Sequence, residues 1–157
     1  MPTHRENVIQ MMLCDFVKYQ YPGAIFVSDS SGEHRQNMGQ RLRAKRLRST
    51  VGYPDWFLAE PKGIYHGCFL ELKQEGYKLR KSTKPEWVNP HVEAQADCHD
   101  KLRERGYFVT FAIGLEDAID WVRQYMALSF GEKLGKTRPE VIKVIPMPTR
   151  VNRKEEF

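Results

Sequence analysis

Cysteine is scarce in this sequence: 157 residues hold only Cys14, Cys68 and Cys98. An odd number of thiols in a chain of this length excludes a small secreted scaffold held together by disulfides. No apolar run approaches the roughly 20 residues that a membrane-spanning helix needs. The opening residues, MPTHRENVIQMML, lack a basic stretch followed by an apolar core and a small-residue cleavage site, so no signal peptide is expected. Neither C-x-x-C nor H-E-x-x-H occurs. A structural zinc site is therefore not expected, although His91, Cys98 and His99 fall in one helical stretch. The nucleophile-elbow pattern is missing as well, which leaves a serine or cysteine hydrolase without support. Internal repeats and low-complexity tracts are also absent.

What remains is the composition of one soluble globular domain, 41% apolar and 29% charged, long enough to bury a core without staples. Its expected location is the cytoplasm. Lys and Arg outnumber Asp and Glu by 25 to 20, a net charge of +5. Such an excess points only modestly to a polyanionic partner. Its distribution is more telling. Arg41, Arg43, Lys45, Arg46 and Arg48 crowd one stretch, and Lys78, Arg80, Lys81 and Lys84 another.

Thr3 and Glu6 fit a capping box ahead of Val8, Ile9, Met12, Leu13, Phe16 and Val17 at helical spacing. Pro22-Gly23 ends that helix. Ala24 to Val27 reads as a short strand, and the basic segment Gly39 to Ser49 as helical or irregular. Asp55–Ala59 and Ile64–Lys73 read as a hairpin around Glu60-Pro61-Lys62-Gly63. A polar loop follows. Asn89 and Pro90 then start a helix that Gly106 can end. Tyr107–Ile113 is an apolar strand and Leu115–Leu128 an amphipathic helix. The expected fold is α/β, with a mixed sheet of about four strands flanked by helices. Residues 1–128 form the expected domain. Residues 129–157 form an appendage whose β-prone patch, Val141–Ile145, suits an extra strand, a partner contact or disorder.

In the expected hairpin, a turn near Gly63 sets Asp55 opposite Glu71 and Phe57 opposite Phe69. Alternation along the strand gathers Asp55, Glu71 and Lys73 on one face, with Leu70 and Leu72 on the other. Two adjacent carboxylates repel and raise one another's pKa unless a cation lies between them. A hard divalent ion meets that need, and Lys73 meets part of it. An exposed strand face with a salt bridge fits the same spacing, but the flanking WFLA and GCFLEL runs are very apolar for one. Gln95 falls on the expected inward stripe of its helix with Val92, Ala96, His99 and Leu102. There it is either a satisfied core amide or a polar edge residue. Glu6 suits the capping box and also lies near the inward face of its helix.

Gly52-Tyr53-Pro54-Asp55, then Glu71-Leu72-Lys73, then Gln95 resemble the PD-(D/E)XK nuclease superfamily. Within it, residues 5 to 127 resemble the virus-type replication-repair nuclease (VRR-NUC) family. The resemblance implies a restriction-endonuclease-like fold and a Mg²⁺- or Mn²⁺-dependent DNA endonuclease. It implies that Asp55, Glu71 and the Leu72 carbonyl hold the metal, that Lys73 positions or activates the attacking water, that Gln95 orients the lysine or the water, and that Glu6 assists from the first helix. It further implies branched or junction DNA as substrate in replication, recombination or repair, a homodimer, and a phage origin, hence a host cytoplasm. Arg41, Arg43, Lys45, Arg46 and Arg48 are expected to grip phosphates before Asp55. Lys78, Arg80 and Lys81, with Tyr77 and Lys84, are expected to clamp the backbone after Lys73. Two rivals stand beside this reading: a nucleic-acid-binding protein with a vestigial nuclease fold, and a sequence-specific restriction-type endonuclease.

Overall fold

A computed structural model describes residues 4–29 and 37–135. Along the chain run α1 (His4–Gln20), β1 (Phe26–Ser28), α2 (Met38–Arg46), β2 (Trp56–Leu58), β3 (Cys68–Lys73), α3 (Pro90–Arg103), β4 (Phe108–Ile113) and α4 (Leu115–Met126). The strands form one sheet in the order β1-β2-β3-β4. β1 with β2 and β2 with β3 pair antiparallel, whereas β3 and β4 are parallel. A parallel pair needs a long crossover, and α3 supplies it. The expected mixed, helix-flanked sheet is therefore present.

β3 lies inside the sheet, and all six of its residues are buried. Its alternation divides two environments. Cys68, Leu70 and Leu72 join Trp56, Leu58 and Ala112 in a core closed by Leu13, Phe16 and Val17 of α1 and Ala118, Val122 and Tyr125 of α4. Phe69, Glu71 and Lys73 take the opposite face, where α3 buries Val92, Gln95 and His99. His99 lies against Phe111 of β4, with ring centroids 4.5 Å apart. The three cysteines are free thiols. Cys68 and Cys98 are buried and Cys14 is half-buried.

Several boundaries move from the sequence reading. The expected strand Ile64–Lys73 starts only at Cys68. Its first residues are drawn elsewhere: the Ile64 N–H bonds to the Glu132 carbonyl at 3.0 Å and the His66 N–H to the Gly106 carbonyl at 2.9 Å. The ambiguous basic segment contains a helix, because Asn37 and Gln40 cap it reciprocally: Asn37 Oδ1 accepts the Gln40 N–H and Gln40 Oε1 accepts the Asn37 N–H. α3 begins as its sequence suggests, with Asn89 Oδ1 accepting the Val92 N–H at 2.9 Å and Pro90 in the first turn. The Tyr125 hydroxyl donates to the Glu60 carbonyl at 2.6 Å and ties α4 to the turn between β2 and β3. Leu134 packs on the core, so the first residues of the expected appendage lie against the body. Thr3 and Val141–Ile145 lie outside the described residues. Among the described residues no helix is long and apolar enough to cross a membrane.

Candidate active site

The polar face of β3 is buried. Glu71 is 1% exposed and Lys73 7%. Removing two charges from water costs several kcal/mol per ion unless they are paired and hydrogen-bonded. Lys73 Nζ donates to Glu71 Oε1 at 2.8 Å. The side-chain amide of Gln95, reaching down from α3, donates to the same oxygen. Glu71 Oε2 and Gln95 Oε1 are buried without a hydrogen-bond partner among the described residues. Gln95 thus shares the Glu71 oxygen that also receives Lys73.

The register sets Phe57 opposite Phe69, as expected, but pairing begins at Trp56, one residue after Asp55. Asp55 therefore bends out of the ladder, and its Oδ2 accepts the Leu72 N–H at 3.2 Å. Beyond Leu70 this edge of β3 has no partner from β2. The N–H and C=O of one strand residue leave on the same side. The Leu72 carbonyl consequently turns toward Asp55.

Burial, and then the negative charge of Asp55, push Glu71 up to about 8, with Lys73 acting in the opposite direction. Asp55 is raised as well, chiefly by burial, again opposed by Lys73. This carboxylate pair, with a buried unpartnered oxygen, is short of positive charge. Its donors are all oxygen. Among the described residues no three His, Cys, Asp or Glu side chains converge as a metal cage. Two carboxylates without imidazole or thiolate fit a hard ion such as Mg²⁺, which takes one or two carboxylates and keeps several waters. The orphaned Glu71 Oε2 is the oxygen such an ion would satisfy.

Gly52 locks this arrangement to α3. Its φ is +77°, and a Cβ built there would stand 2.5 Å from the Ala94 carbonyl oxygen and 2.7 Å from the Gln95 nitrogen. The loop leading to Asp55 thus presses its bare backbone against the helix turn that carries Gln95.

Glu6, half-buried on the first turn of α1, is near enough for its charge to act on both Asp55 and His91. In the sequence, His91 was considered only for zinc and was not placed beside the carboxylates. Burial and then the Lys73 charge lower its pKa, which favours the neutral ring. The available signal was its spacing: it precedes Gln95 by four residues, on the same helix face. The Tyr77 ring lies 5.7 Å from Lys73 Nζ, and Asn89 Nδ2 meets its hydroxyl at 3.4 Å.

The basic residues divide into different settings. Arg41, Arg43, Lys45 and Arg46 lie on α2, and the last three are exposed. Arg48 pairs with Asp29. Lys78 is exposed. Arg80 stacks on Trp87, 3.4 Å from the ring centroid, and donates to the Pro85 carbonyl. Lys81 pairs with Glu86 at 2.6 Å. These last two shape the loop after β3 as much as they charge it.

No family model matches the chain, and no curated protein matches it. Among solved structures, a VRR_NUC domain protein is similar at 22% identity with a TM-score of 0.60, over 83% of this chain and 97% of that one. A VRR_NUC domain is similar at 21% identity with a TM-score of 0.39, over 74% of this chain and 97% of that one. The chain has the fold of the first of these proteins.

Proposed function

We propose that this chain is a Mg²⁺- or Mn²⁺-dependent deoxyribonuclease that hydrolyses phosphodiester bonds at Asp55, Glu71 and Lys73. The observation that carries the reading is Glu71 itself. It is buried, held on one oxygen by Lys73 and Gln95, lacks a hydrogen-bond donor on the other among the described residues, and lies within hydrogen-bond reach of a second carboxylate, Asp55. The fold shared with a protein named for a VRR_NUC domain supports the same reading.

Asp55 and Glu71, with the Leu72 carbonyl, would hold the metal, which when bound offsets phosphate charge and lowers the pKa of a water. Lys73 shares the buried face, where its ammonium orients the attacking water and offsets charge that builds on the phosphoryl oxygens. Gln95 acts through Glu71 by fixing the orientation of the carboxylate. Glu6 sets the local charge from α1. The exposed cations of α2 and Lys78 bind phosphates, which positions DNA by shape without reading its sequence. Branched DNA and a homodimer complete the proposal. Shape-based contacts suit junctions, and the resemblance implies both.

The test is a panel of four-way junctions, flaps, single strands and linear duplex, each with Mg²⁺, Mn²⁺ or EDTA. Cleavage is expected with either ion and none in EDTA. Asp55→Ala and Lys73→Ala are expected to abolish cutting while DNA binding persists. Discrete sequence-dependent products from a plasmid would favour a restriction-type enzyme. Binding to every substrate without cleavage of any would favour a vestigial fold.

A further inference from the structure

Asp55 faces two spaces. Its carboxylate meets β3, and the residue also lines a cleft of about 450 Å³ that opens over the β1–β2 half of the sheet. The floor is Val27 and Phe57, paired across β1 and β2. Tyr53 adds a second ring from the loop before β2, and Leu47 and Arg48 form the opposite wall just beyond α2.

Both rings are braced from behind. Phe57 stacks on Phe69 at 4.3 Å between centroids, and Tyr53 meets the same ring edge-on at 5.4 Å. Phe69 itself is 3% exposed. Yet Tyr53 is 42% exposed and Val27 60%. The sheet face thus offers braced aromatic and apolar surface to solvent, directly beside the half-buried Asp55. The ion pair with Asp29 fixes the Arg48 guanidinium at the rim.

We propose that this cleft is a nucleobase subsite. It takes the unstacked base adjoining the scissile phosphate and stacks it on Tyr53 and Phe57, with the Arg48–Asp29 ion pair at its rim. The volume suits one nucleoside-sized group. Stacking on aromatic side chains tolerates any base, because every base has a π-face. Unstacking is easiest where the base is already unpaired. This inference rests on the nuclease reading and narrows its substrate class to strands whose nucleotide beside the cut is unpaired, as at a fork, flap or junction.

Two measurements test it. In EDTA, 5-iododeoxyuridine is placed in turn at each position around the branch of a forked DNA, and the complex is irradiated. The expected cross-link, mapped by mass spectrometry, falls on Tyr53 or Phe57. With Mg²⁺ or Mn²⁺, an abasic site beside the cut bond is expected to lower kcat/KM roughly ten-fold, mainly through KM. Tyr53→Ala should show the same loss on the intact strand and no further loss on the abasic one, with recovery in Tyr53→Trp. Equal cleavage of abasic and intact strands by the unaltered chain, with cross-links elsewhere, overturns the subsite and leaves the nuclease reading standing. A Tyr53 cross-link without cleavage of any substrate supports the subsite and overturns the nuclease reading.

Discussion

Gln95 and Glu71 meet side chain to side chain: the Gln95 amide donates to the carboxylate oxygen that also receives the Lys73 ammonium. Glu71 is thereby held at one oxygen, with the Asp55 carboxylate close by. Partners that orient metal-binding groups typically matter by 10–100-fold. Gln95→Ala is therefore expected to lower single-turnover cleavage about 10- to 100-fold while leaving DNA affinity unchanged. Addition of Mg²⁺ should recover part of the loss, since a looser carboxylate binds the ion less tightly. An unchanged rate would remove Gln95 from the machinery.

The pH dependence of stability follows from two buried groups of opposite sign. Glu71 moves from 4.5 up to about 8 on folding, so its contribution is present below 4.5 and lost as pH rises through about 8. His99 moves from 6.5 down to about 3, chiefly through burial, so its contribution is present above 6.5 and lost as pH falls toward 3. Between pH 6.5 and 8 the Glu71 slope acts without the opposing His99 slope. In EDTA, Tm is expected to fall as pH rises across that window. Glu71→Gln should flatten the fall, and Mg²⁺ should raise Tm more at pH 8 than at pH 6.5. An equal slope in Glu71→Gln would contradict the assignment.

Gly52 and Gly76 have similar backbone angles, +77° and +74°, but different surroundings. A Cβ at Gly76 meets nothing within 4 Å, whereas one at Gly52 strikes the backbone of α3. Gly76→Ala is expected to cost only the left-handed penalty, about 1–2 kcal/mol. Gly52→Ala adds a backbone clash and should cost clearly more, with cleavage reduced further because Asp55 and Gln95 lose their common register. Thermal melts and single-turnover rates on both variants measure the difference.

The cations should divide by setting. Replacing Arg43, Lys45 and Arg46 by Ala is expected to weaken binding to all DNA sequences alike, reducing the salt-dependence slope by about 1 per lost phosphate contact. Lys81→Ala should change little, because Glu86 already neutralises that ammonium. Fluorescence anisotropy across a salt series reads both effects.

Much of the sheet was legible in the sequence because alternation in Cys68–Lys73 and the cap at Asn89 are local signals. The face shared by Glu71 and Lys73, and the pairing of Phe57 with Phe69, followed from period two and one turn. What escaped depends on distant backbone. Ile64 leaves the expected strand because Glu132 offers it a carbonyl, and Asp55 turns to Leu72 because the β2 ladder ends at Trp56. The target of Gln95 was likewise hidden, since helix periodicity gives a face and no partner. His91 near the acids and the braced rings around Phe69 are products of packing across three elements.

The most direct measurement is a Mn²⁺ titration followed by electron paramagnetic resonance, on the unaltered chain, Asp55→Asn and Glu71→Gln, with circular dichroism as a check on folding. The unaltered chain is expected to sequester Mn²⁺, in competition with Mg²⁺, and both folded variants to lose that binding. Equal Mn²⁺ uptake by all three proteins would contradict a metal held between Asp55 and Glu71.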